Sequence, residues 1–452
     1  MAKKKTIFVC QECGNESVRW QGKCICGAWN SFVEEVVVSE VHTNPKPLDN
    51  LRSKPVPVTD VKYGEQYRIK TGSGELDQVL GGGLVPGSLV LISGDPGIGK
   101  STLLLQIADG ISQNYGTVLY VSGEESQEQI RLRADRLGVS SKGLLIVTET
   151  NVDIIQRYLE EYSPVFVILD SIQTLYTGNL TSAPGSVSQV RECTGCILKF
   201  AKTLNIPFMI SAHVTKQGEI AGPRVLDHMV DVVLYLEGEK NYGFRMLRSF
   251  KNRFGTTNTL GVYEMVQEGM KEIANPSEYL LSNQSKGVSG AVVVASVENT
   301  RPLLVELQAL VVTNDLGIPP RRTVVGVNRD RLSLIVAVLQ KRAGLFIGNH
   351  DIYVSLLGGV DINETSIDLG IAVAIYSSLR DCSVDGKTIV LGELDLAGRV
   401  RPIYNIERLV QEAQKLGFKK CILPYANLTK LAKSKIEVIG VKSIQETLEL
   451  LF

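Results

Sequence analysis

The chain has 452 residues, of which 44% are hydrophobic and 21% are charged, with equal numbers of acidic and basic side chains. This length exceeds one core of ordinary size, so we expect about two to four domains of soluble, globular composition. Because the net charge is zero, a global basic field is excluded, and any contact with nucleic acid must come from local patches.

The amino-terminal segment is rich in cysteine and lacks the apolar core of a signal peptide. No apolar run in the chain reaches the roughly 18 residues that a membrane span needs, so we expect a cytoplasmic protein without membrane contact, whose thiols stay reduced. Residues 1–34 hold Cys10, Cys13, Cys24 and Cys26 and are too short for a core of their own. Four soft thiolates suit tetrahedral zinc, which predicts a zinc-binding segment; free thiols are the alternative.

Two α/β regions follow a proline-containing linker that we place at residues 35–65. Between residues 66 and 275, apolar runs alternate with helical stretches, which predicts a mostly parallel sheet with helices on both faces. The predicted strands are 89–93, 118–122, 165–169, 208–211, 230–236 and 243–249, and the predicted helices are 101–111, 127–137 and 188–204. Residues 285–452 mix strands and helices without a second phosphate loop, which favours a separate α+β domain.

The segment after the first of these strands matches the phosphate-binding pattern G-x-x-x-x-G-K-[ST], between a strand and a helix as the pattern requires. Its glycines let backbone N–H groups curl around phosphates. Lys100 is expected to reach the β- and γ-phosphates of ATP, and Ser101 to ligate Mg²⁺. The alternative is a chance glycine-rich turn. The predicted nucleotide-binding residues are Gly94, Asp95, Pro96, Gly97, Ile98, Gly99, Lys100, Ser101 and Thr102.

Polar side chains at the ends of three other predicted strands complete the expected catalytic site. Asp170 follows strand 165–169 and is predicted to be a second Mg²⁺ ligand, with a helix N-cap as the alternative. Of the two acids after strand 118–122, we predict Glu124 as the base that polarises the attacking water and Glu125 as a solvated loop acid. His213 follows strand 208–211 and is a candidate γ-phosphate sensor, although a lone histidine at a strand end commonly has no such role.

A basic turn follows the last predicted strand of the first region. Lys251, Asn252, Arg253, Phe254 and Gly255 place two cations and an aromatic ring in a turn that ends at glycine. In a ring ATPase, such a turn can contact the phosphates of nucleotide or of DNA. Considered alone, a solvated basic turn is the simpler interpretation.

Taken together, these residues resemble the bacterial RadA (Sms) family of recombination and repair ATPases, and the resemblance covers almost the whole chain. Besides the cysteine segment, it rests on residues 71–77 (TGSGELD), 81–87 (GGGLVPG), 121–126 (VSGEES), 213–216 (HVTK) and 251–255 (KNRFG). The resemblance implies a RecA-like P-loop ATPase core and a homo-hexameric ring on single-stranded and branched DNA. It implies ATP-driven branch migration, with a recombinase or a replicative helicase as partner.

The resemblance also assigns roles to particular segments. It implies that Lys251 and Arg253 couple ATP to DNA, and that residues 174–190 and 214–225 are flexible loops that face DNA. It further implies that residues 285–452 form a Lon-protease-like domain. The expected fold is therefore α/β: a RecA-like core with an amino-terminal zinc segment and a carboxy-terminal α+β Lon-like domain.

Two places depart from the family pattern. The second cysteine pair has one intervening residue, Ile25, where the family has two. In the Lon-like region, Ser366 falls where we place the protease serine, and Glu407 stands where the protease has its general-base lysine; a hydroxyl without a base is an ordinary alcohol. We therefore expect a non-proteolytic scaffold, and the alternatives are an ATP-dependent serine peptidase or a nucleotide-switched adaptor without motor activity. A candidate duplex-binding face of this domain consists of Arg321, Arg322, Arg329 and Arg331.

Overall fold

In the computed structural model, the chain divides into two compact units: Met1–Glu237 with Arg245–Glu272, and Gly238–Phe244 with Ile273–Phe452. The residues that the structure describes are 3–12, 14–39, 57–60, 68–213, 225–238, 244–282, 284–285, 287–298, 301–314, 319–358, 360–431 and 434–452. Cys13 of the predicted zinc site and residues 214–224 of a predicted DNA-facing loop lie outside the described residues.

A small antiparallel sheet, the ribbon, carries the clustered cysteines. Strand β1 (Lys3–Cys10) lies between β2 (Glu16–Ser17) and β3 (Phe32–Ser39). Cys10, Cys24 and Phe32 are buried together, which is the small core that a segment of this size can form. β3 continues beyond residue 34, where we placed the end of the segment, because its backbone stays paired with β1 up to Ser39.

The remaining elements up to residue 272 alternate between strands and helices. Short 3₁₀ turns occupy Val58–Asp60 and Ile172–Thr174. The helices and strands are α1 (Gly74–Leu80), β4 (Leu89–Gly94), α2 (Lys100–Tyr115), β5 (Val118–Ser122), α3 (Gln127–Arg136), β6 (Leu144–Thr148), α4 (Val152–Tyr162), β7 (Phe166–Asp170), α5 (Val187–Leu204), β8 (Phe208–His213), α6 (Val225–Met229), β9 (Val232–Glu237), β10 (Phe244–Asn252), β11 (Leu260–Val266) and β12 (Gly269–Glu272).

These strands form one nine-stranded sheet in the order β12-β11-β10-β9-β4-β8-β7-β5-β6. The part from β9 to β6 is parallel throughout. β4 is buried along its whole length, as its uninterrupted apolar sequence predicts, and separate hydrophobic clusters cover the two faces of the sheet. The predicted mostly parallel sheet with helices on both faces is confirmed.

Two strands extend further than their apolar runs predict. β8 ends at His213, and β10 ends at Asn252 after a register shift between Ser249 and Lys251. Ladder hydrogen bonds are made by the backbone, so polar residues can continue a strand whose first residues are already paired. The structure also adds β6 and α4, which the sequence reading did not include.

The second unit contains a seven-stranded mixed sheet in the order β15-β16-β14-β13-β17-β20-β21 and a separate hairpin of β18 and β19. Further 3₁₀ turns occupy Thr365–Ile367 and Tyr425–Lys430. The helices and strands are α7 (Pro276–Leu280), β13 (Ala291–Glu298), β14 (Arg301–Thr313), β15 (Arg322–Val325), α8 (Arg329–Arg342), β16 (His350–Leu356), α9 (Asp368–Arg380), β17 (Thr388–Val390), β18 (Glu393–Leu394), β19 (Val400–Arg401), α10 (Ile406–Lys415), β20 (Lys420–Pro424), β21 (Glu437–Val441) and α11 (Ile444–Leu451). Within the described part of the chain, no helix combines the length and the apolar character needed to cross a bilayer.

Candidate nucleotide-binding site

The predicted phosphate-binding loop joins β4 to α2 at the carboxyl edge of the large sheet. Gly94 ends β4 with a φ of 151°, and a Cβ at this position would lie 2.3 Å from the carbonyl oxygen of Leu236 on β9. Glycine is therefore required where the chain leaves the sheet. Residues 95–97 are exposed, whereas Ile98 is buried and anchors the loop. Arg245 of β10, which the sequence did not single out, donates from Nε to the Ile98 carbonyl at 3.2 Å.

Lys100 is the first residue of α2 and is 4% exposed. Its amino group donates to the carbonyl oxygen of Gly94 at 2.7 Å and to that of Asp95 at 3.1 Å, so the side chain folds back across the loop. Burial lowers the pKa of Lys100, and the carboxylates of Asp170, Asp95 and Glu124 oppose this shift. The loop, the lysine and both predicted catalytic acids therefore share one electrostatic environment.

Asp170 ends β7, beside Ser122 of β5. Tyr120 donates to Asp170 Oδ2 at 2.7 Å, and Ser211 donates to Oδ1. Burial and the charge of Asp170 raise the pKa of Tyr120, which keeps the phenol protonated as a donor. Two hydroxyl groups from neighbouring strands thus fix this carboxylate. The sequence reading missed both, because a tyrosine or serine within an apolar strand resembles an ordinary packing residue.

The adjacent acids Glu124 and Glu125, just after β5, have different partners. Glu125, which we predicted to be a solvated loop acid, instead forms an ion pair with Arg133 of α3. Glu124 instead accepts a hydrogen bond from the hydroxyl of Ser171, the residue after Asp170. The ion pair turns Glu125 toward α3, whereas the serine holds Glu124 beside the end of β7.

Backbone pairing brings further predicted residues to the same edge. His213 ends β8, where it pairs with Gly94 of β4. Ser101 and Thr102 are partly buried on the first turn of α2. The N–H groups of a first helical turn have no acceptor within the helix and favour an anion. The ends of β4, β5, β7 and β8 therefore carry the predicted nucleotide and catalytic residues together.

The basic turn Lys251–Gly255 lies at the opposite end of the sheet. β10 runs antiparallel to β9, with Asn252 paired to Val232, whereas Gly94 pairs with Leu236 at the other end of β9. The interval from residue 232 to residue 236 spans about 13 Å at the usual rise of a strand. Within one chain, the turn is thus remote from its own phosphate-binding loop.

Both cations of this turn contact α6 or the residues directly after it. Lys251 donates to the Val230 carbonyl at 2.8 Å and also to the Asp227 carbonyl. Arg253 is 54% exposed, and one end of its guanidinium pairs with the buried Asp231 at 3.1 Å. The two head groups are therefore oriented by the protein rather than dispersed in solvent.

The other residues of the turn are built into the edge of the core. Asn252 accepts from the Phe254 N–H at 2.9 Å and donates to the Val79 carbonyl at 3.2 Å. The ring of Phe254 packs against the hydrophobic cluster, and Gly255 approaches Gly81 closely. The turn is thus anchored at several points.

The predicted DNA-facing loop at residues 174–190 is organised around one buried side chain, Gln189 of α5. Its amide nitrogen donates to the carbonyl oxygens of Thr177 and Leu180, each at 3.3 Å, and of Ser182 at 3.0 Å. Its amide oxygen accepts from the Thr177 N–H at 3.1 Å. This loop therefore has a defined internal framework.

In the ribbon, the thiols of Cys10, Cys24 and Cys26 lie within 4.8 Å of one another, and Cys10 Sγ and Cys26 Sγ are 3.9 Å apart. Zn–S bonds of about 2.3 Å in a tetrahedron separate the sulfur atoms by about 3.8 Å, so these thiols fit zinc. Cys24 and Cys26, although separated by only one residue, both direct their thiols toward Cys10. They lie in a turn in which the Gly27 N–H donates to the Cys24 carbonyl at 2.9 Å. Cys13, the fourth predicted ligand, lies outside the described residues.

In the second unit, Ser366 is 6% exposed, and its hydroxyl donates to the Ala295 carbonyl at 3.3 Å. Glu407 is exposed on the first turn of α10. A nucleophilic serine needs access to substrate and a base within hydrogen-bond reach. The buried hydroxyl of Ser366 has the features of a packing residue, and the exposed Glu407 has those of a solvated side chain. Neither has the features of a catalytic residue of a serine peptidase.

The candidate basic face of the second unit is smaller than predicted. Arg331 turns inward, with Nε 2.9 and 3.0 Å from the two carboxylate oxygens of the fully buried Asp368. Including it was wrong, because a buried carboxylate needs a partner and takes this one across α8 and α9. Arg322 is half-buried, whereas Arg321 and Arg329 are exposed.

Three separate ranges of the chain match models of known families. Residues 8–34 match a model described as a rubredoxin metal binding domain, which contains the clustered cysteines. Residues 65–219 match an AAA domain, a range that includes the predicted phosphate-binding loop and the predicted catalytic residues. Residues 320–427 match the subunit ChlI of Mg-chelatase. The chain thus joins a metal-binding ribbon, an ATPase domain and a Lon-like domain.

Relatives match along the whole chain. It is 51% identical over 453 aligned residues to the DNA repair protein RadA of Bacillus subtilis (strain 168), covering 99% of each protein. It is 48% identical to the DNA repair protein RadA of Listeria monocytogenes, over 99% of this chain and 98% of that protein. Identity is also 48% with the DNA repair protein RadA of Streptococcus pyogenes serotype M3, over 100% of both. Since this identity extends over its full length, the chain belongs to the RadA family of DNA repair proteins, and it is a DNA repair ATPase.

Proposed function

We propose that the protein is a DNA-dependent ATPase that drives branch migration of recombination intermediates as a homo-hexameric ring on single-stranded and branched DNA. The observation that carries this proposal is the grouping of Lys100, Asp170 and Glu124 beside the phosphate-binding loop. We also propose a recombinase or a replicative helicase as its protein partner, as the resemblance to the family implies.

In this proposal the substrate is ATP with its Mg²⁺, held by the residues from Gly94 to Thr102. The N–H groups of the loop and of the start of α2 favour the phosphates, and Lys100 adds a positioned cation. Ser101 and Asp170 would hold Mg²⁺, which neutralises charge on the β- and γ-phosphates when bound. Because hydrogen bonds already fix the Asp170 carboxylate, it needs little reorganisation to do so.

Glu124 is the proposed general base. The Ser171 hydroxyl holds its carboxylate next to Asp170, where it can orient and deprotonate an attacking water. Glu125 is less suited to this role, since its charge is shared with Arg133. His213 is the proposed sensor of the γ-phosphate, because its strand end adjoins the loop.

The position of the basic turn supports the ring. Lys251 and Arg253 lie at the opposite end of β9 and β10 from their own phosphate-binding loop. These cations can therefore serve a nucleotide only in a neighbouring subunit, or else DNA. Asp231 pairs with one nitrogen of the half-exposed Arg253 guanidinium. The other N–H groups of the guanidinium are then directed outward. In a homo-hexamer, each turn would link one subunit's ATP to its neighbour and to DNA.

ATP turnover with and without single-stranded DNA tests the proposal most directly. We expect DNA to stimulate hydrolysis, and we expect migration of a synthetic branched junction to require hydrolysable ATP. A protein that binds ATP but hydrolyses it at the same rate with and without DNA would be the nucleotide-switched adaptor, and the motor proposal would fail.

We expect Arg253→Ala to bind ATP normally but to lose at least about tenfold in DNA-stimulated turnover, since an arginine that contacts the transferred phosphate contributes on the order of 10³-fold or more. If Arg253 contacts DNA, its loss should also flatten the slope of log affinity against log salt by about 0.7 on single strands. Steady-state hydrolysis, branch migration and DNA binding over a salt series measure these effects.

Lys202→Met is the matched control for this variant. Lys202 is the other cation on Asp231, at 2.9 Å, so its loss perturbs the same buried carboxylate and leaves the turn intact. We expect this control to keep its DNA response. Wild-type branch migration by Arg253→Ala, or an equal loss in Lys202→Met, would remove the turn from the mechanism.

We also propose that the ribbon binds zinc through Cys10, Cys13, Cys24 and Cys26. Metal analysis of the purified chain is expected to find about one zinc ion per chain. Cys26→Ser should lose most of it, because the Cys26 thiol lies 3.9 Å from that of Cys10. Cys382→Ser, outside the ribbon, should retain it. Zinc content near zero in wild-type protein prepared without chelator would contradict the proposal.

A further inference from the structure

Both tryptophans of the chain, Trp20 and Trp29, lie in the ribbon and are 54% and 69% exposed. Large apolar side chains are mostly buried in folded proteins. Where several exposed apolar side chains lie close together, they commonly mark a binding surface. The buried cluster of the ribbon consists of Cys10, Cys24 and Phe32, so the tryptophans are not needed to cover the thiols. Their exposure requires another explanation.

The two rings adjoin one short segment of the ribbon. The ring of Trp20 lies over Gly22, where an added Cβ would be 3.8 Å from it. Trp29 and Lys23 form an isolated antiparallel β-bridge, and Lys23 Nζ lies 5.3 Å from the centre of the Trp29 ring. Arg19 precedes Trp20 and is exposed. We call Arg19, Trp20, Lys23 and Trp29 the tryptophan patch.

The charge around this patch favours nucleic acid over a protein partner. Between Glu16 and Glu34, which flank the segment, the exposed cations are Arg19 and Lys23 and there is no acidic residue. Because the whole chain has no net charge, DNA binding must rely on such local patches. Aromatic rings stack on bases of any sequence, and neighbouring cations meet the phosphates that join the bases. Bases are accessible for stacking in single strands, whereas a duplex keeps them paired inside.

We propose that the tryptophan patch is a contact for single-stranded DNA that the ribbon makes by itself, with Trp20 and Trp29 stacked on bases. The contact needs no ATP, because none of its residues belongs to the nucleotide site. It differs from the basic turn, whose cations are oriented by the segment after α6.

Intrinsic fluorescence tests the patch directly, because tryptophan emission from the full chain comes from Trp20 and Trp29 alone. Zinc-loaded protein is titrated with oligothymidylate without ATP, with excitation selective for tryptophan. Stacking should quench the emission. Trp20→Ala and Trp29→Ala should each weaken the quenching titration about tenfold, with the other tryptophan as reporter. Val18→Ala removes another exposed apolar side chain of the ribbon and should behave as wild type.

Unchanged wild-type emission overturns the proposal, whether or not the anisotropy of a labelled oligonucleotide shows binding elsewhere on the chain. An equal loss in Val18→Ala also overturns the proposal.

Two controls accompany the titration. The emission of the wild-type protein is measured without any variant, and the zinc content of each variant checks that its ribbon is retained. DNA-stimulated ATP turnover is recorded in parallel, so quenching without stimulation defeats the proposed motor and leaves the patch standing.

Discussion

Replacing Lys100 with alanine is expected to abolish measurable ATP turnover, with a loss of at least about 10²-fold, while the fold is retained. Phosphoryl transfer depends almost entirely on positioning and on charge stabilisation, and alanine supplies neither. The amino group of Lys100 crosses the loop to the carbonyl oxygens of Gly94 and Asp95, so its removal leaves the loop without this positioned cation. Phosphate release at saturating ATP measures the effect.

Lys142→Ala is the control for that experiment, because Lys142 is an exposed lysine of the same unit. It should hydrolyse ATP like the wild type. Both variants should still unfold cooperatively on heating, which checks that the fold is retained. Wild-type hydrolysis by a folded Lys100→Ala protein would refute the assignment of the nucleotide site.

Glu124→Gln is expected to lower kcat by about 10²- to 10⁴-fold and to leave ATP binding intact. Glutamine keeps the size of the side chain, and its amide oxygen can still accept the hydrogen bond from Ser171. It cannot take a proton from water at neutral pH. Single-turnover hydrolysis and equilibrium ATP binding separate the chemical step from binding.

Glu125→Gln provides the matched comparison on the adjacent residue. It removes the charge that pairs with Arg133, a partly exposed ion pair that contributes little to stability. We expect its turnover to stay within a few-fold of the wild type. If Glu125→Gln abolishes turnover and Glu124→Gln does not, then Glu125 is the base, and the contact with Ser171 has another role.

The sequence by itself determined the features that depend on residues close together in the chain. The phosphate-binding loop could be recognised because its glycines, Lys100 and Ser101 follow one another between a buried strand and a helix. Asp170 and His213 could be placed at one edge because parallel strands end on the same side of a sheet. Uninterrupted apolar runs predicted these strands for the same local reason.

Only the tertiary structure decided the contacts between residues that are distant in the chain. Arg133 distinguishes Glu125 from Glu124, although the two acids are chemically identical neighbours. The buried Asp368 takes Arg331 as its partner, although the arginine side chain remains partly exposed. The strand pairing of β9 with β10 places the basic turn remote from its own phosphate-binding loop. Hydrogen bonds and ion pairs depend on distance and direction in space, and for these residues the packing of separate strands and helices sets both.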